Sequence, residues 1–240
     1  MKRKSWFGVG GSIAGAIAIL AGCNAVLGID EAKLALDAGP GGGNPYSLSC
    51  ANYCSVMNRF CQTGTPASDN TEYLSDPICN KICNDGFPAP ADGGVVDAEP
   101  PAPTSGDLYC RIWHANFAGQ TGLFHEHCAH AGPLGGNTCD DSVSDPCAVF
   151  CALDLKYCTD PSQYRNMTDC LNTCRADAGY PGFPYQVDPA NNAVTDLAAT
   201  GNTLNCRMYH LENVLLEGPS IHCPHTGPEG GGPGFCVDNP

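Results

Sequence analysis

Along this chain the apolar positions that recur with helical spacing are mostly cysteines. Cys50, Cys54 and Cys61 stand at i, i+4 and i+11, which at about 100° per residue fall within roughly 40° of one another on a helix. Met57 lies on the same stripe. Cys147, Cys151 and Cys158 repeat the pattern. Start signals agree with it: Asp145-Pro146 offers a cap and an N1 proline ahead of Cys147, and Ser49 can cap ahead of Cys50. A second helix follows in each half, where Cys79 and Cys83, or Cys170 and Cys174, put two sulfurs on one face. Asp76-Pro77 is a plausible start for the first of these. A third helix begins near Cys110 and near Cys206, most apolar at Leu211 to Leu216. Between the second and third helices lie polar, Pro- and Gly-rich inserts, residues 84–106 and 175–202. The later insert carries Tyr180, Phe183 and Tyr185, as a loop packed on its own domain or as a ligand surface.

The pattern is a duplication. The first set is Cys50, Cys54, Cys61, Cys79, Cys83, Cys110, Cys128 and Cys139; the second is Cys147, Cys151, Cys158, Cys170, Cys174, Cys206, Cys223 and Cys236. Each set spans 90 residues, and both carry C-R-x-[WY]-H, then H-C-x-H-x-G-P-x-G-G, then a closing cysteine. The glycine clusters at residues 132–136 and 227–231 predict tight turns.

Composition sharpens this. Seventeen cysteines among abundant Gly and Pro, with few Leu, Ile, Val and Phe, describe a scaffold stapled in an oxidising compartment. The close pairs are C-x3-C, not the C-x2-C of zinc knuckles. The expected fold is mostly α with irregular loops, as two tandem disulfide-stapled small domains with little or no sheet. Net charge is −14, and −17 without residues 1–22, which excludes nucleic acid as a partner.

Met1-Lys2-Arg3-Lys4 is a positive segment, and Trp6 to Ala21 is an apolar run too short and glycine-rich to span a membrane comfortably. It ends Leu20-Ala21-Gly22-Cys23, which resembles a bacterial lipobox. Setting Cys23 apart leaves sixteen cysteines, an even number that can pair completely. The resemblance, to cysteine-rich bacterial envelope lipoproteins, implies a lipid anchor on Cys23 and the membrane as a partner through it. It also implies a location in the cell envelope at the outer membrane, facing the periplasm or the cell surface. The expected division is a signal peptide over 1–22, lipidated cysteine and tether over 23–47, repeat 1 over 48–140 and repeat 2 over 141–240.

Two helices that each offer sulfurs one turn apart resemble the α-hairpinin type of disulfide hairpin. That resemblance implies Cys50–Cys83 with Cys54–Cys79, and Cys147–Cys174 with Cys151–Cys170. It leaves the other four cysteines of each repeat unassigned.

Six of the seven histidines match between repeats: His114 with His210, His127 with His222, His130 with His225. One reading is a three-histidine metal site per repeat, for which imidazole suits Zn or Cu. Glu126 can complete only the first, since Ile221 stands at that place in the second. The other reading is structural: rings filling space in a thin core and hydrogen-bonding loop carbonyls, as Arg111 and Arg207 can also do. The three-residue spacing of His127 and His130 fits helical ligands, while the glycines that follow argue against a helix there.

No G-x-S-x-G elbow, H-E-x-x-H helix, phosphate loop or haem-attachment C-x-x-C-H is present, and an even cysteine count leaves no thiol nucleophile. The expected function is non-enzymatic, without a required cofactor: an envelope lipoprotein presenting a disulfide-rich interaction module to an unknown protein partner. The alternative is Zn or Cu binding by the histidine trios.

Overall fold

In the computed structural model the described residues are 47–61, 72–87, 108–140, 145–159, 163–175, 182–185, 199–231 and 235–237. The segment 1–22, Cys23, nearly all of the tether, and Tyr180 lie outside them. None of the described helices is long and apolar enough to cross a membrane.

Repeat 1 contains α1 (Cys50–Phe60), α2 (Asp76–Gly86), α3 (Leu108–Thr121) and α4 (Phe124–Ala131), followed by a 3-10 turn at Gly135–Asn137. Repeat 2 contains α5 (Pro146–Tyr157), α6 (Met167–Cys174), α7 (Leu204–Glu217) and α8 (Pro219–Thr226). No strand occurs among the described residues, and the fold is mostly helical and disulfide-rich. Helix starts follow local chemistry. Ser49 Oγ accepts from Asn52 N–H at 3.2 Å and Asp145 Oδ1 from Ala148 N–H at 3.1 Å, while Asn166 and Thr203 cap α6 and α7 in the same way. At α2 the N-cap is Ser75, which makes no side-chain cap; Asp76 instead accepts from Asn58 Nδ2 at 2.9 Å.

Each repeat is wired identically. The first helix packs on the other three, and the third packs along the fourth. Cys50–Cys83 and Cys54–Cys79 rung α1 to α2, and Cys147–Cys174 and Cys151–Cys170 rung α5 to α6, the pairs that the hairpin resemblance implies. The remaining cysteines form Cys61–Cys128, Cys110–Cys139, Cys158–Cys223 and Cys206–Cys236. Cys61–Cys128 and Cys158–Cys223 close the longest loops, with separations of 67 and 65 residues. On chain-entropy grounds each is worth about 4 kcal/mol. All paired cysteines except Cys50 are buried, so sulfur fills much of the core.

The repeats meet where α2 packs on α5 and α7. A Cβ at Gly86 would stand 3.1 Å from Leu153, so glycine permits this approach. Buried Glu212 accepts from Leu74 N–H at 2.8 Å, and Asp85 takes Lys156 and the Tyr157 hydroxyl. Tyr185 accepts from Gly136 N–H at 3.1 Å, so this part of the second insert docks on the turn of repeat 1.

One core position has diverged. Aligned on the cysteines, the apolar pair Met57 and Ala131 becomes Asp154 and Thr226, joined Oγ1 to Oδ1 at 2.6 Å. Asp154 is 1 % exposed and its Oδ2 has no hydrogen-bond partner. Burial raises its carboxyl from 3.8 to about 6, against the lowering by Thr226. The native state therefore takes up a proton before the unfolded one, and the cost of burying the charge grows as pH rises through 6. Replacing Asp154→Met with Thr226→Ala is expected to stabilise the protein at pH 7.5. That gain should exceed the gain at pH 4 by on the order of 2–3 kcal/mol in denaturant melts, as a shift of that size implies.

Candidate metal centre

The histidines converge in both repeats. His114 comes from α3, and His127 and His130 come from α4 one turn apart. His210 comes from α7, and His222 and His225 from α8. The segment ahead of the glycine turn is thus helical, and its three-residue spacing aims both rings at the preceding helix. Within each trio one nitrogen per ring lies within 4.8 Å of the other two. His114 Nδ1 is 3.1 Å from His127 Nδ1. His210 Nδ1 is 3.2 Å from His222 Nδ1 and 3.2 Å from His225 Nδ1. Glu126 is not among the converging groups; it acts on His127 and His130 through charge.

A chain of contacts seats these rings. The disulfides Cys61–Cys128 and Cys158–Cys223 tie the fourth helix of each repeat to the end of the first, with the bonded cysteine between the two histidines. Cys110–Cys139 and Cys206–Cys236 hold the chain one turn before His114 and His210. Their sulfurs lie near those rings but are spent in the disulfide. Arg111, fully buried over the face of Phe87, donates to the carbonyls of Gly132 and Cys139. Arg207, over Phe183, donates to Gly227 O at 3.3 Å and Thr203 O at 3.1 Å. The arginines thus tie down the glycine turns. At Gly136, with φ of 56°, a Cβ would lie 2.7 Å from the His130 ring; at Gly231, with φ of 80°, it would collide with His225. The G-P-x-G-G motif clears room for the third histidine. Gly231→Ala is expected to cost roughly 1–3 kcal/mol in thermal melts, from strain at positive φ plus displacement of His225.

Burial is the main influence on charge. It lowers His130 and His210 from 6.5 to about 4, helped in each case by a neighbouring histidine, and it lowers His127 and His225 as well. These rings are neutral at neutral pH, the form that ligates metals. The unfolded chain takes up protons first as pH falls. The metal-free fold therefore loses stability from pH 6.5 down to about 4, with the full cost present below that. His210→Gln should shrink the stability difference between pH 7 and pH 4 by about 2–3 kcal/mol, read by denaturant titration.

Several neighbours were not legible in the sequence. Glu217 Oε2 stands 3.0 Å from His222 Nε2, and Ala199 O stands 3.3 Å from His210 Nε2. Phe235 stacks on His225 at 3.7 Å, and Phe117 meets His127 edge-on at 4.8 Å. Glu217, Phe117 and Phe235 have no counterpart of the same residue type in the other repeat, so the duplication does not mark them. Of the insert aromatics, Phe183 lies under Arg207 and Tyr185 holds the repeat 1 turn, which makes both packing residues.

Residues 147–239 match the BfoA family C-terminal domain, a stretch that holds the whole second trio and all eight cysteines of repeat 2. The chain is 37% identical over 92 residues to the aurasperone B biosynthesis cluster protein A of Aspergillus niger, covering 38% of this chain and 25% of that protein. It is 36% identical over 92 residues to the bifonsecin B biosynthesis cluster protein A of Aspergillus brasiliensis, covering 38% of this chain and 26% of that protein. The chain thus spans about a quarter of the length of these relatives. No solved structure matches. The relatives are fungal, and this corrects the reading of the N-terminus. The resemblance to bacterial lipoproteins is withdrawn, and with it the lipid anchor on Cys23, the membrane as a partner through it, and the outer-membrane location. The physical reason is the slightness of the signal: a positive start and a short apolar run are common to export leaders, and four residues carried the rest. The similarity that the comparisons establish is of repeat 2 to the BfoA family C-terminal domain.

Proposed function

We propose that each repeat is a metal-binding module in which three histidines hold one Zn(II) or Cu(II) ion, in a binding protein rather than an enzyme. The observation that carries this is His210. Its Nε2 faces the carbonyl of Ala199, which can only accept, so that nitrogen bears the hydrogen. Nδ1 is left with a single in-plane lone pair, yet two other ring nitrogens stand 3.2 Å from it. A hydrogen bond satisfies one of those approaches; a cation at the centre satisfies both. The spacing agrees, because tetrahedral ligands at a bond length near 2.05 Å lie about 3.3 Å apart.

The disulfides and the arginine-tethered turns support the same reading, because they hold the three rings without help from an ion. Such preorganisation lowers the entropy lost on binding. The non-enzymatic part rests on the chemistry of the cysteines, all sixteen of which in the repeats are paired. The biosynthetic setting named for the Aspergillus relatives is compatible with an accessory metal-holding protein.

Elemental analysis of oxidatively folded protein, dialysed against Zn(II) or Cu(II), is expected to find about two ions per chain. His127→Ala with His222→Ala should abolish both while the disulfides stay intact by mass. Retention of metal by that variant, or none in the parent, would return the histidines to a packing role.

A further inference from the structure

Resting on the three-histidine reading, we propose that Glu217 is a positioning residue that makes the repeat 2 site the tighter of two unequal metal sites. The ligands are duplicated but their surroundings are not. Five residues ahead of the second histidine stands Glu217 in repeat 2 and Gly122 in repeat 1. Gly122, with φ of 73°, has no side chain to offer a carboxylate at that place. Glu217 is the last residue of α7, and Gly218, with φ of 98°, turns the chain into α8. This short turn places Oε2 3.0 Å from the outer nitrogen of His222.

The consequence is a fixed tautomer. With Nε2–H donating to a carboxylate, the lone pair of His222 belongs to Nδ1, the atom 3.2 Å from His210 Nδ1. The carboxylate also holds the ring orientation. His210 is set in the same sense by the Ala199 carbonyl, so two of the three rings in repeat 2 arrive oriented by an outer acceptor. In repeat 1 the nearby carboxylate, Glu126, precedes His127 on α4 and is not among the converging groups. Glu217 is 58% exposed, so its effect belongs at the weaker end for such partners, about tenfold in affinity.

Zn(II) titration of the full oxidised chain against a competing chelator tests this. Two classes of site are expected, and His127→Ala should delete the weaker one. Glu217→Ala should weaken the tighter class by about tenfold and leave the weaker unchanged. Glu217→Gln keeps an acceptor oxygen without the charge and should lose less. With Cu(II), Glu217→Ala should shift one of two paramagnetic resonance signals while the melting of the metal-free protein stays the same, which a merely structural role would not produce. Two ions bound with affinities and signals indifferent to Glu217→Ala would overturn the inference and leave the three-histidine reading standing. No bound Zn(II) or Cu(II) in the parent would overturn both.

Discussion

The covalent tie from the end of the first helix to the middle of the fourth is what the rest of each repeat depends on. Cys61–Cys128 and Cys158–Cys223 join residues more than sixty positions apart, across inserts of unlike sequence. The helices they join are short, eight residues in the case of α4 and α8, and helices of that length are marginal by themselves. With the crosslink in place, the fourth helix keeps its position whatever the inserts do. The histidines on either side of the bonded cysteine inherit that position.

A second layer of constraint is polar and buried. Arg111 and Arg207 are among the largest fully buried side chains, and each meets an aromatic face and a set of loop carbonyls. Burying a guanidinium is offset by hydrogen bonds to its donors, and here Arg111 donates through Nη1 and Nη2 to Gly132 and Cys139, while Arg207 donates to Gly227 and Thr203. The turn in turn leaves space for an imidazole where any Cβ would intrude. Arginine, turn and histidine thus form one mechanical unit, which accounts for their joint presence in both copies. Burial favours the neutral form of His127, His130, His210 and His225, and the rings of each trio are directed at one another.

Duplication with divergence gives an internal control. Where both copies agree, at the sulfurs, the arginines and the three histidines, the shared fold or shared chemistry demands it. Where they differ, as Met57 and Ala131 differ from Asp154 and Thr226, or Gly122 from Glu217, each copy has been adjusted separately. The first difference sets a buried carboxylate in one core only. The second places a charged partner behind one histidine only.

Helical periodicity of the cysteines, the eight-by-eight duplication and the matched histidines were legible in the residues themselves, because helix geometry and covalent pairing act over short, regular spacings. Those signals carried the mostly helical fold and the candidate ligands. The N-terminal resemblance misled because a few small apolar residues before a cysteine are compatible with many origins. The long-range pairs, such as Cys61 with Cys128, depended on how four helices pack, which no spacing encodes. The same holds for Glu217 and the Ala199 carbonyl, whose meaning comes from the nitrogen they face. The sequence by itself determined which side chains could ligate and that sulfur would hold the chain. Only the tertiary structure decided that three rings of each repeat converge and that Glu217 faces the outer nitrogen of His222, because convergence is a property of packed helices and not of their order along the chain.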